Sequence, residues 1–320
     1  MTSTVLIGGN DALGERVRAL LAAAPGRGPA VLIDDETATG PDLKAVLDDA
    51  DELILLAGGL DVTKAVLDAA GSVGMTRLVV LSSATVYGAW ATNPVPLTED
   101  ATLRPNPDLD FAVRAAERER LVAEWRGEHP SATVAVLRAA TPVAEGASGW
   151  LSDGLRAAAS VRAAGPDDPP AQFLHLDDLA TAVVLALSKG LDGPRNVAPD
   201  GWIGGEEVRA LIGGPRVRVP NAVAKRMAVL RWRLGGAPAP PGLVPYTVHP
   251  WVIANDRMRA AGWAPSYSNE EALVAGTPAS PWSTISPQRR QELALGGAVV
   301  GIAGTVTGVL LALRRARRKV

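Results

Sequence analysis

Between the first apolar run and the first helical pattern the sequence reads VLIGGNDALGERV. Gly8, Gly9, Asn10, Asp11, Leu13 and Gly14 make up this turn, and Gly8-x-x-Asp11-x-x-Gly14 is the spacing of a phosphate loop whose central glycine is an aspartate. Glycines in such a turn let the backbone approach a pyrophosphate held at the helix N-terminus, where the first N–H groups have no partner within the helix. Asn10 and Asp11 both tolerate left-handed backbone angles, so the turn itself can form. The Asp11 carboxylate counts against the anion: facing one phosphate charge at close range it costs about 4 kcal/mol at an effective dielectric of 20. Two readings stay open, a loop of weakened nucleotide affinity and a plain strand-to-helix turn. Asp34 ends the next apolar run, twenty residues after Gly14. An acid there accepts hydrogen bonds from the adenosine ribose of NAD; a solvated acid at a strand end is the alternative.

These residues need rigid elements to hold them. TVLIGG, AVLIDD, ELILLAGG, RLVVLSS and TVAVLR each read as a strand buried on both faces, and helix-length stretches such as LGERVRALLAA and DVTKAVLDAAGSVG lie between them. Strands alternating with helices pair in parallel through right-handed crossovers. The expected fold is therefore α/β, a doubly wound parallel sheet of Rossmann type, with a smaller C-terminal substrate lobe and a C-terminal apolar helix. The domains read as 1–200 for the dinucleotide-binding part, with 141–172 contributing to the substrate lobe, and 201–285 for that lobe. A membrane-spanning helix over 292–313 and a basic tail over 314–320 complete the chain. FLHLDDLATAVVLAL supplies a further strand and helix, and RNVA one more strand. Beyond residue 200, GEEVRALIGG, NAVAKRMAVLRWRLGG and NDRMRAAGWAP look helical, while GGAPAPPGLVP is a loop.

VTKAVLDAAGSVGMTRLVVLSSATVYGAW, PLTEDATLRPNP, FLHLDDLATAVVLAL and RNVAPDGW occur in that order. Together they resemble the extended short-chain dehydrogenase/reductases, most closely the NAD-dependent epimerase/dehydratase group, from residue 4 to about 275. The resemblance implies roles. Ser83 takes the place of the catalytic Ser/Thr, and Tyr87 is not the catalytic tyrosine. Ala57 and Gly58 match backbone contacts to the dinucleotide, Asp42 and Leu43 an element beside the adenine, and Thr141 to Val143 the chain near the nicotinamide. His175 is a packing and hydrogen-bonding residue. The family's acid/base is a tyrosine followed four residues later by a lysine, one helical turn apart, with the ammonium lowering the phenol's pKa. In DLDFAVRAAERERLVAEW those two positions fall on Phe111 and Ala115, which keep ring and helix but lose hydroxyl and charge. Tyr87, Tyr246 and Tyr267 are the remaining tyrosines, and none has lysine four residues on. Arg114 and Arg118 stay protonated and are no substitute bases.

The bulk composition narrows the rest. Charged residues are 21% of 320 and the net charge is −2, which calls for no nucleic acid. There is no cysteine, and the three histidines lack zinc-site spacing, so no metal is expected. MTSTVLIGGN shows no secretory signal, and the cytoplasm is the default. The run 293–313 carries no charge, is long enough for a span, contains two G-x-x-x-G pairs and precedes a basic cluster. Its basic end suits the cytoplasmic side, which conflicts with a large domain on that same side; an interfacial or packed soluble helix is the alternative.

Three functions follow. The first is a degenerate family member that binds a nucleotide or another small ligand, with NAD weakened by Asp11, and is tethered to a membrane. The second is an active NAD(P)-dependent oxidoreductase or epimerase on a nucleotide sugar with a non-standard acid/base. The third is a membrane-bound structural protein. The resemblance also implies a homodimer through helices flanking the sheet.

Overall fold

In chain order the elements are β1 (Thr4–Ile7), α1 (Ala12–Ala23), β2 (Val31–Ile33), α2 (Asp35–Ala38), α3 (Leu43–Asp48), β3 (Glu52–Leu55), α4 (Leu60–Ser72), β4 (Arg77–Ser83), α5 (Asp110–Glu128), β5 (Thr133–Ala139), β6 (Thr141–Val143), α6 (Trp150–Ser160), β7 (Phe173–His175), α7 (Leu176–Lys189), β8 (Gly193–Val197), α8 (Gly205–Ile212), α9 (Asp256–Ala260) and α10 (Asn269–Ala275). The computed structural model describes residues 1–145, 149–160, 169–212 and 240–277.

Six strands form one sheet in the order β2-β1-β3-β4-β5-β8, every neighbour parallel. Alternation along each strand divides the core between its two faces. Leu6, Ile54, Val79, Ala135 and Leu137 point to the side covered by Leu13, Val17 and Leu21 of α1 and Leu179 and Val183 of α7. Val5, Ile7, Leu53, Leu55, Leu78, Val80, Val134 and Val136 point to the other side, under α3, α4 and the C-terminal half of α5. Cover on both faces is why these strands read as unbroken apolar runs.

One edge departs from the usual doubly wound order 3-2-1-4-5-6, in which a further strand lies outside the second. Here β2 is itself the edge, and only α2 and α3 separate it from β3. Residues 34–51, DDETATGPDLKAVLDDAD, hold no β-branched run that could make that strand. Strand order reverses at β1, and the crevice beyond the C-terminal ends of β1, β3, β4 and β5 is where such sheets bind ligands.

The smaller region starts from β6 and β7, a parallel pair registered from Thr141↔Phe173 to Val143↔His175. Val143, Phe173, Ile203, Val208, Ala272 and Leu273 form its core. The helices read in GEEVRALIGG and NDRMRAAGWAP are α8 and α9, and Gly262, at φ +93, follows α9. NAVAKRMAVLRWRLGG and the apolar run 293–313 lie outside the described residues. Among the described residues no helix is long and apolar enough to cross a membrane.

Candidate functional site

The turn after β1 is tight for stated reasons. Gly8 has φ +70, and a Cβ there would lie 2.8 Å from the Ala57 Cβ, so the β1 and β3 loops abut. A Cβ on Gly14 would approach the Gly9 carbonyl oxygen to 1.9 Å, which fixes α1 against the turn. No residue other than glycine has positive φ among those described, so the left-handed angles expected for Asn10 or Asp11 are not used. Asp11 is extended, at φ −132 and ψ −179, and acts as the N-cap of α1. Its Oδ1 accepts hydrogen bonds from the N–H of Leu13 at 3.1 Å and of Gly14 at 2.9 Å.

A cavity of about 480 Å³ opens beside this turn, lined by Gly8, Asn10, Asp11, Asp34, Asp35 and Glu36. Four of the six are acids. Asp34, expected to face a ribose, caps α2 by accepting from the Thr37 N–H at 2.9 Å. Backbone and hydroxyl hydrogen bonds from Thr37 hold its carboxyl below the usual aspartate value. Gly58, at φ +120, stands where a Cβ would meet Val62 at 2.7 Å. Asp42 heads α3 without a side-chain capping bond, and Leu43 is buried in the core under that helix. Tested on these residues, the glycine frame of a dinucleotide site is present, but two N–H groups of the first turn of α1, those of Leu13 and Gly14, are already taken by Asp11. As the turn stands, it does not fit the group.

Ser83 ends β4 and is buried; its Oγ accepts from Thr85, from the N–H at 3.2 Å and the hydroxyl at 3.0 Å. This caps the 3₁₀ turn Ala84–Tyr87, against which α5 packs. Ala115 is buried in the same cluster as Ala84, Val86 and Tyr87. Phe111, one helical turn earlier, is 39% exposed and meets Trp150 edge-to-face at 5.0 Å. Arg118 follows on the same side of α5 and donates to the carbonyls of Leu81 and Gly58. Its Nε is enclosed with no partner among the described residues, and burial holds its pKa below the ordinary arginine value, against the pull of Glu119.

Two tyrosines approach the Ser83 turn. Tyr87 accepts from Arg138 at 2.8 Å and donates to Asn196 at 2.7 Å, and burial pushes its pKa up to about 12. Tyr246, from the loop after residue 240, donates to the Thr85 carbonyl at 2.8 Å, and burial raises its pKa further still. Beside this turn Ala84, Ala140, Gln172, Trp251 and Val252 line a narrow cleft. Thr141, at the start of β6, is buried with its hydroxyl unbonded among those residues, and Val143 is core. His175 caps α7, accepting from Asp177 N–H at 3.2 Å, and stacks on Tyr267 at 3.8 Å.

Sequence reasoning missed Tyr246, Trp251 and the cap made by Asp11. The last was visible in principle, because aspartate just before ALGERV is a strong N-cap signal. Tyr246 and Trp251 lie in irregular chain, where no periodicity announces burial.

The parallel sheet, the glycine turn after β1 and the crevice across the strand ends define a Rossmann-like fold. Residues 50–198 match the model of the NAD dependent epimerase/dehydratase family. The uncharacterized protein y4nG of Sinorhizobium fredii is 27% identical over 226 residues, 66% of this chain; the chain spans only 55% of that relative's length. Among solved structures, dTDP-glucose 4,6-dehydratase from Bacillus anthracis in complex with NAD shares 15% identity at a TM-score of 0.62, covering 86% of this chain and 95% of that one. UDP-glucose 4-epimerase from Thermotoga maritima with UDP-glucose shares 15% at 0.63, covering 86% and 97%. At such identities the likeness is one of fold.

Proposed function

We propose that this chain binds a nucleotide-sugar-like small molecule in the crevice at the strand ends, without the family's ordinary acid/base step. The observation that carries this reading is the α5 face: Phe111 packs on Trp150 and Ala115 is buried beside the Ser83 turn, where the family resemblance calls for phenol and ammonium. The family match and the nucleotide-sugar complex of the T. maritima epimerase support the ligand class. The regions 141–172 and 201–285 are the parts that select the ligand. Native mass spectrometry of the purified protein titrated with UDP-glucose tests it; the expected result is a one-to-one complex whose sugar nucleotide is recovered unchanged. Absence of any complex with a panel of sugar nucleotides overturns the ligand class.

A second reading, an active oxidoreductase or epimerase with a non-standard acid, is supported more strongly by the comparisons than by the residues. One observation favours it: the Tyr246 phenol, bonded to the Thr85 carbonyl, stands beside the turn that Ser83 caps and supplies a hydroxyl other than the one absent at position 111. Turnover that disappears in Tyr246→Phe would decide for this reading.

We also propose that 292–313 tethers the protein to a membrane and that the chain acts in the cytoplasm as a homodimer. Full-length protein is expected in the membrane fraction, and a chain ending at Pro287 in the supernatant. Identical partitioning of the two removes the tether.

A further inference from the structure

We infer that Asp11 is the chain's own occupant of the anion position at the N-terminus of α1, so that the glycine turn rejects diphosphates rather than merely binding them poorly. The first N–H groups of a helix point outward unpaired, and a phosphate placed there is held by them. In this turn the Leu13 and Gly14 N–H groups both donate to one oxygen of Asp11. A carboxylate in that place supplies what the phosphate would: negative charge on the positive helix end and two accepted hydrogen bonds. A diphosphate must therefore displace a covalently tethered competitor whose effective concentration is high. The displaced carboxylate then has nowhere favourable to go, because the cavity it borders already carries Asp34, Asp35 and Glu36. The rest of the turn is built as if for close approach. Gly8 and Gly14 lie where no side chain fits. The exclusion therefore rests on one side chain, and its removal restores the site.

This inference concerns dinucleotide binding alone and does not depend on the acid/base reading of α5; activity plays no part in its test. Calorimetry compares ADP, NAD⁺ and adenosine on the full chain and on Asp11→Gly and Asp11→Asn variants. In the unaltered chain ADP is expected to bind no more tightly than adenosine, because the diphosphate gains nothing. In Asp11→Gly, ADP and NAD⁺ should gain about tenfold or more, as expected from freeing a capped helix end, while adenosine is unchanged. Asp11→Asn removes the charge but keeps an oxygen able to cap, so its gain should be clearly smaller; it also leaves a folded comparison if the glycine variant is unstable. ADP tighter than adenosine in the unaltered chain, or equal ADP affinity across all three proteins, overturns the inference. Equal gains in Asn and Gly variants would also overturn it, since charge alone would then be responsible and not occupation of the N–H groups.

Discussion

Unaltered protein is expected to turn over UDP-sugars in the presence of NAD(H) at least about 10²–10⁴-fold more slowly than a relative with the tyrosine–lysine pair, the range a positioned general acid/base contributes. The deficit has a local cause. On the proposed alignment a phenolate reachable near neutrality would need a hydroxyl at position 111 and a cation one turn on, where this chain has a hydrocarbon ring packed on Trp150 and a buried methyl group. Neither Tyr87 nor Tyr246 can stand in as base, because burial raises both phenols out of the useful range. Phe111→Tyr alone should recover nothing. Phe111→Tyr with Ala115→Lys, in an Asp11→Gly background, should recover trace activity. The recovery will be small, since the new lysine enters a buried site three residues from Arg118, and burial and like charge both push its pKa down. Spectrophotometry at the NADH absorbance, with product analysis of the sugar, reads the result. Robust turnover by the unaltered chain that persists in Ser83→Ala would sink the assignment of the α5 face.

Glu119→Ala is expected to cost about 3–5 kcal/mol of folding stability, the usual result of removing one partner from a buried ion pair. Glu119 and Arg138 are each 6% exposed, and the carboxylate receives the guanidinium in a two-pronged contact at 2.7 and 2.9 Å. Ser82 donates to the other oxygen, and Arg138 continues to Tyr87 and the Glu99 carbonyl. Truncating Glu119 leaves a guanidinium enclosed by α5, β4 and β5 with its charge uncompensated. Replacing both members by leucine should cost much less than the sum of the single changes, because no orphan charge remains. Urea unfolding monitored by circular dichroism gives the numbers. A loss below about 1 kcal/mol for Glu119→Ala would mean that water reaches the pair.

The sheet was legible because its inner strands are buried on both faces, and even the edge strand β2, where Val31 is half exposed, is an apolar run. TVLI, VLI, ELIL, RLVVLSS and TVAVLRA leave no polar alternation to confuse with a surface strand, and each is followed by helix-length spacing. The missing strand beyond β2 was legible only as an absence in residues 34–51, which is weaker evidence than a run. The turn at Gly8 to Gly14 was legible in spacing but not in what its aspartate does. A carboxylate two or three residues before a helical N–H can repel a ligand or cap the helix, and the same residues encode both. What escaped was the crevice wall near Ser83. Tyr246, Trp251 and Gln172 arrive from distant, irregular segments, and only the tertiary structure brings them to Ala84 and Ala140.

β5 and β8 are hydrogen-bonded neighbours, yet residues 140–192, with β6, α6, β7 and α7, intervene between them. Both ends of that excursion are therefore pinned side by side by the sheet. The entropy of closing such an excursion grows only with the logarithm of its length, about 0.6 kcal/mol for each doubling. Added length within this excursion is thus cheap in closure entropy, provided that it spares the buried Val143, Ala144, Leu151 and Leu155. Insertions at exposed positions of that excursion can change the shape offered to a ligand while both of its ends stay held by the sheet, and a library placed there should yield folded proteins far more often than one placed within β5 or β8.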